Sequence, residues 1–169
     1  SDRHRIAARR TRLGHDAVVF VPANTVAARI EAIRGEGARV VVVDGNYDDT
    51  VRRAAADAEE HGWQVISDTA YPGYTQIPRW IMEGYTTLFS EAMRKLESAS
   101  SPPPDAVFLQ SGVCGLACAG AVFFARRGLR PALVSVEPTD ADCLLASAGS
   151  PDGALTLARG KQNSIMAGL

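Results

Sequence analysis

Ala106-Val107-Phe108-Leu109-Gln110-Ser111-Gly112-Val113-Cys114-Gly115-Leu116-Ala117 carries an apolar run into a glycine-bearing turn and out into small residues. The run predicts a strand over Ala106–Gln110. Ser111–Gly115 predicts a turn, and a helix of small and apolar residues is predicted to continue to Arg126. Such a turn points several backbone N–H groups at one spot, and the helix N-terminus adds partial positive charge there. A phosphate monoester dianion suits that spot, with no need of Lys or Arg. The spacing matches neither a P-loop nor a three-glycine dinucleotide fingerprint. A tight βα connection that binds nothing explains the same residues, so the motif alone leaves both readings open.

The pattern repeats on either side. Ala17–Val21 is an apolar run ending at Pro22, and Asn24 is placed to cap a helix marked by Val26, Ile30 and Ile33. Gly35 and Gly37 stop that helix. Arg39–Val43 holds four consecutive valines, the mark of a strand buried on both faces. After a polar turn, Asp48 or Asp49 is placed to cap a helix to His61, and Gln64–Ser67 reads as a third strand. Asp68–Tyr74 is a loop rich in Pro, Gly and aromatic residues. A long amphipathic helix to Glu97 follows, with Ile81, Tyr85, Leu88, Ala92 and Leu96 on its inner face. Ser98–Pro104 is a stiff connector. Ala132–Glu137 is a further strand, and Thr139 is placed to cap a short helix. Strands alternating with helices predict an α/β fold of open, mostly parallel sheets with flanking helices. The connectors predict two lobes, residues 1–70 and residues 71–169.

Composition sets the outer limits. The 169 residues are 46% hydrophobic and 22% charged, with a net charge of −1. That balance gives no electrostatic footprint for nucleic acid or an anionic membrane. Arg3, Arg5, Arg9, Arg10 and Arg12 make the first residues basic, read as a solvated helix face or an arm. No apolar run reaches the roughly 20 residues that span a bilayer, and no signal-peptide pattern is visible. A chain starting at Ser1 rather than Met is expected to be processed, trimmed or partial, and a cytoplasmic location is expected. Cys114, Cys118 and Cys143 have no disulfide-framework or complete metal-ligand spacing, so buried thiols are expected and no metal.

Two acidic residues stand at strand ends, where ligands collect in open α/β sheets. Asp68 opens Asp68-Thr69-Ala70-Tyr71-Pro72-Gly73-Tyr74. A carboxylate there, beside tyrosines, suits general acid–base work, or else it orders the loop. Glu137 ends Val134-Ser135-Val136-Glu137 and either faces a ligand or serves a turn.

At these residues the sequence resembles a known family. Asp68–Pro78 followed by Trp80-Ile81-Met82-Glu83-Gly84-Tyr85 is similar to diaminopropionate ammonia-lyases. So are Asn46–Arg52, Val136-Glu137-Pro138 with Ala141-Asp142-Cys143, and Ile165-Met166-Ala167-Gly168-Leu169. The resemblance implies a tryptophan-synthase-β-like fold (type II of the pyridoxal-phosphate enzymes), pyridoxal 5'-phosphate as cofactor and a homodimer. It implies α,β-elimination of 2,3-diaminopropionate, an amino-acid substrate, to pyruvate and ammonia. It implies that residues 1–70 are part of a small lobe and residues 71–169 part of the large cofactor-binding lobe. Carried over, the cofactor's phosphate is held by Gly112, Val113, Cys114, Gly115 and Leu116, with Glu137 near the cofactor. Asp68 belongs to the acid–base machinery, and Asp2 matches a second acid–base aspartate.

The chain departs from the family pattern in three places. Cys114 stands where the family has glycine. Ser1-Asp2-Arg3-His4-Arg5 lacks the Gly-Asn pair that follows the second aspartate. Lys95 and Lys161 are the two lysines present, and neither matches the family's Schiff-base lysine. A partial chain of such an enzyme is therefore expected, without activity of its own. The alternatives are a truncated or decayed product, or a threonine/serine dehydratase-like member of the same fold.

Overall fold

The computed structural model describes residues 14–158 and residue 160. The strand β1 (Val18–Pro22) lies parallel to β2 (Arg39–Val43), with Val18 opposite Arg39 and Pro22 opposite Val43. A parallel pair needs a crossover, and α1 (Ala27–Gly35) supplies it. Val19, Val21, Ile33 and Ala38 form the buried cluster between sheet and helix. After β2, α2 (Tyr47–His61) packs against β1.

Several ends differ from the sequence reading, each for a local reason. Asn24 does not cap α1. Thr25 N–H closes a turn onto the Pro22 carbonyl at 3.0 Å, and Val26 occupies the cap position. The cap of α2 is Asn46 rather than Asp48 or Asp49. Asn46 accepts from the Asp49 amide while the Asp49 side chain accepts from the Asn46 amide, a reciprocal capping box. Gly62, in the left-handed region at φ 66°, ends α2. β2 is not buried on both faces, since Val42 is 46% exposed. Gln64–Ser67 forms no strand. The Tyr74 hydroxyl takes both the amide and the carbonyl of Ser67, at 2.8 and 3.2 Å, so these groups are turned to a side chain rather than a ladder.

Packing divides the chain between Val65 and Ile66, so Asp68 belongs to the second unit. There α3 (Gln76–Ser98) leads to β3 (Ala106–Gln110), α4 (Gly115–Arg126), β4 (Ala132–Val136) and the short α5 (Cys143–Ala148). β3 and β4 are parallel, Ala106 facing Ala132 and Gln110 facing Val136, with α4 as the crossover. Every pairing between the named strands of the described residues is parallel, as expected of open sheets with flanking helices.

The core of this unit is Phe89, Met93, Leu109, Ala119, Phe123 and Phe124. The three phenylalanine rings lie 5.2–5.8 Å apart, tilted or edge-on. Glycine lets α4 come this close: a Cβ at Gly120 would sit 2.9 Å from Leu109 Cδ1 and 3.0 Å from Phe89 Cζ. The inner face of α3 is rotated from the predicted stripe. Tyr85 and Leu96 pack inward as expected, but Leu88 is 55% exposed, and Phe89 and Met93 take the buried positions. Thr139 does not cap α5. Glu137 does, accepting the Leu144 and Leu145 amides at 2.8 and 2.9 Å.

Candidate functional site

The turn after β3 is anchored from below. Ser111 is fully buried. Its amide bonds the Val136 carbonyl at 3.0 Å, and its hydroxyl accepts from Ser135 at 2.7 Å. This serine pair ties the ends of the two strands under the turn. Sequence reading missed it. The available signal was a serine near the end of each of two adjacent strands, Ser111 just past β3 and Ser135 within β4.

Above that anchor, Cys114 is the cap residue of α4 and lies in the left-handed region, φ 60°, ψ 2°. The first helical hydrogen bond runs from the Cys118 amide to the Cys114 carbonyl, 2.9 Å. The amides of Gly115, Leu116 and Ala117 therefore lie ahead of the helical ladder, where an α-helix has no acceptors of its own. Together with the bend at half-buried Gly112 and exposed Val113, they form a donor set for an anion at a helix N-terminus.

The Cys114 side chain is turned under the loop. Its Sγ lies 4.0 Å from the Gly112 carbonyl oxygen, and Cys143 donates to the same oxygen at 3.1 Å. Burial pushes the Cys114 thiol up to about 11, with the neighbouring Cys143 and Glu137 adding to it. Burial, then Glu137, raises Cys143 as well. Both thiols are thus protonated at neutral pH and place no negative charge beside the loop. An amide-only donor set with neutral thiols beneath it fits a phosphate ester, so the residues present suit the phosphate of pyridoxal 5'-phosphate. A hollow of about 300 Å³ beside the turn is lined by Leu109, Cys114, Ala117, Leu133 and Leu144, among others.

Asp68 lies in a loop that is closed on itself. Tyr71 and Tyr74 exchange backbone hydrogen bonds at 3.3 and 2.8 Å, and their rings stack at 4.8 Å. Burial raises the Tyr74 phenol, which keeps it protonated as a donor to Ser67. The Asp68 carboxylate accepts a hydrogen bond from the Tyr85 hydroxyl, 3.2 Å from Oδ2. Tyr85 also lies against the turn before α4, since a Cβ on Gly115 would lie 3.5 Å from Tyr85 Cε2 and 3.6 Å from Met82 Cγ. One side chain thus joins Asp68 to the start of α4. Sequence reading placed Tyr85 on the inner face of the helix and saw only packing there.

Glu137 is brought near the turn through Cys143, 3.7 Å from Oε1, but both its oxygens serve the amides that open α5. Its observed work is to hold α5. Asp2 and Lys161 lie outside the described residues. Lys95 is exposed in the last turn of α3. Among the described residues no group of three His, Cys, Asp or Glu side chains is gathered as a metal site, and no helix is long and apolar enough to cross a membrane.

The diaminopropionate ammonia-lyase of Salmonella typhimurium is 42% identical over 159 residues, which are 93% of this chain and 39% of that protein. The Escherichia coli enzyme has been solved in complex with an aminoacrylate-PLP azomethine reaction intermediate. That structure superposes with a TM-score of 0.82 at 37% identity, over 90% of this chain and 40% of that one. The same enzyme in complex with D-serine gives 0.82 over 98% of this chain and 41% of that one, again at 37% identity. The chain spans about two fifths of the length of the curated relatives it matches. A family model described as pyridoxal-phosphate dependent enzyme matches residues 6–169. A match of that extent, over a turn whose amides suit the cofactor's phosphate, assigns the chain to the pyridoxal-phosphate dependent enzymes.

Proposed function

We propose that these residues are the phosphate-holding and proton-handling part of an ammonia-lyase that cleaves 2,3-diaminopropionate to pyruvate and ammonia by α,β-elimination. The observation that carries the reading is the bridge from Asp68 through Tyr85 to the turn at Gly115, within one packed unit. The 42% identity to an ammonia-lyase of that substrate supports it.

Held at its phosphate, the cofactor supplies an electron sink for the substrate's α-carbon. The chain's residues do the rest of the work assigned here. Gly112, Val113, Cys114, Gly115 and Leu116 hold the phosphate through backbone amides. The protonated Cys114 thiol leaves the anion unopposed. Asp68 holds or returns a proton at the substrate, its Oδ2 steadied by Tyr85. Asp2 is assigned the second acid–base role. Glu137 acts on the site through α5 and Cys143. We assign the residues up to Val65, rather than up to residue 70, to a small lobe and those from Ile66 on, Asp68 included, to the cofactor-binding lobe, and a homodimer in the cytoplasm is part of the same reading.

The test is pyruvate release from 2,3-diaminopropionate by the full-length protein with pyridoxal phosphate supplied, beside L-serine, D-serine and L-threonine. Diaminopropionate is expected to be the fastest substrate, and Asp68→Asn to lower its kcat at least about a hundredfold, in line with lost general acid–base catalysis. A faster threonine reaction would make the protein a dehydratase instead. The 169 residues alone are expected to bind phosphate without turnover, and borohydride reduction with the cofactor should leave no stoichiometric adduct on Lys95 or Lys161.

A further inference from the structure

The inner face of α3 is built from Met82, Tyr85, Phe89, Met93 and Leu96, so Tyr85 carries the single hydroxyl on an apolar stripe. A half-buried phenol of this kind needs a polar partner. Its partner is Asp68, 17 residues earlier in the chain. The loop tyrosine with a fixed hydroxyl, Tyr74, is occupied with Ser67. The two phenols therefore have separate tasks. Tyr74 closes the base of the loop, and Tyr85 reaches across from α3 to the carboxylate. The ring of Tyr85 lies against the first residue of α4, where the amides of the phosphate turn begin.

We infer that Tyr85 is a positioning residue that sets the Asp68 carboxylate at a fixed place relative to the phosphate turn, its hydroxyl holding Asp68 and its ring supporting Gly115. The inference rests on the proposed reading of Asp68 as a proton-transfer group. Phosphate fixes one end of a bound cofactor and Asp68 must meet the substrate at the other, so a small error in their separation is costly to the reaction. A phenylalanine at this position would keep the support and lose the tether. An aliphatic residue would lose both.

The two functions separate experimentally. In Tyr85→Phe, amide hydrogen exchange at residues 68–70 is expected to rise about tenfold, the scale of one hydrogen bond to a charged group. Exchange at residues 112–117 and the affinity for inorganic phosphate, read from amide NMR shifts, should stay within about twofold. In Tyr85→Leu, phosphate affinity should fall as well. In the full-length protein with pyridoxal phosphate, Tyr85→Phe should lower kcat about tenfold and leave KM for diaminopropionate within about twofold, as expected of an interaction that matters in the transition state. Unchanged exchange at residues 68–70 in Tyr85→Phe would overturn the tether, and unchanged phosphate binding in Tyr85→Leu would overturn the support. Full turnover in Asp68→Asn would instead remove the proton-transfer reading, while the exchange result would still report whether the coupling exists.

Discussion

Between β1 and α1 the chain crosses through Ala23, Asn24, Thr25 and Val26; between β3 and α4 it crosses through Ser111, Gly112, Val113 and Cys114. Both crossings lie in parallel β–α–β units, yet their backbones face opposite demands. In the first unit the turn uses its own donors. Thr25 N–H bonds Pro22, and the Val26 carbonyl takes the Arg29 amide at 2.9 Å besides the four-residue bond from Ile30 at 3.3 Å, tightening the start of α1. In the second, the first helical bond is the full four-residue step from Cys118 to Cys114, and the amides before it remain directed out of the ladder. The left-handed Cys114 makes that possible. The scaffold is common to both units, and the proposed anion site rests on one loop's backbone.

The largest expected difference is in anion affinity. Gly112→Val should weaken inorganic phosphate binding about 10- to 100-fold, the loss of one charge-assisted hydrogen bond of roughly 1.5–3 kcal/mol. Ala23→Val in the first crossing should leave it unchanged. Amide NMR shifts in a phosphate titration decide this. Shifts centred on residues 23–27 rather than 111–117 would reverse the assignment of the two loops.

The helices behind the loops differ in the same sense. A methyl at Gly120 would meet Leu109 and Phe89, whereas a methyl at Gly35 in α1 meets nothing within 4 Å. Gly120→Ala is therefore expected to destabilise by roughly 1–3 kcal/mol through overpacking. Gly35→Ala should be neutral or stabilise by up to about 1 kcal/mol. Urea unfolding of the two variants measures the contrast, and equal costs would mean that α4 is packed no more tightly than α1.

How much of this was readable in the sequence depends on the range of the force involved. Arg39–Val43 and Ala106–Gln110 were legible as strands because an apolar run between polar turns is a local signal. The ends at His61 and Arg126 were likewise marked by Gly62 and Gly128, which follow them. Gln64–Ser67 misled because a strand needs a partner, and Ser67 is held by Tyr74, seven residues on. The face of α3 misled because Leu88 and Phe89 fit neighbouring stripes, and only Phe123 and Phe124 on α4 decide between them. The turn between β3 and α4 was visible from glycine spacing, which left open whether it binds an anion. Tyr85 was not, since its importance comes from Asp68 and Gly115, which lie on opposite sides of it in the chain.

Alkaline pH gives a smaller contrast. Cys114, Cys118 and Cys143 all lie in the second unit. The Cys114 thiol is raised by burial from 9.0 to about 11, so the folded state prefers the protonated form. Its contribution to stability is fully present below pH 9.0 and is lost as pH rises through about 11. The melting temperature should fall across that window, and Cys114→Ser should remove part of the fall. At pH 8, iodoacetamide should label the exposed Cys118 well before Cys114, because a thiol raised by about two units holds roughly a hundredfold less thiolate. Equal labelling would mean that Cys114 is open to solvent.

The smallest effect tests the residue that sets the two loops apart. Cys114 holds φ 60° with a side chain attached, and a non-glycine residue in that region carries strain of about 1–3 kcal/mol. Its thiol recovers part of this through burial and its contacts with Cys143 and the Gly112 carbonyl. Glycine would remove the strain, lose those contacts and add freedom to the unfolded chain, which acts against it. The net expectation is a gain of roughly 0.5–1 kcal/mol for Cys114→Gly in urea unfolding, with phosphate affinity equal or slightly higher. The same change at Val26, the cap of α1 with φ −58°, has no left-handed strain to relieve and should stabilise nothing. If Cys114→Gly instead destabilises the protein and loosens phosphate binding, the thiol's contacts outweigh the backbone strain, and the turn is held in its left-handed form by sulfur packing rather than in spite of it.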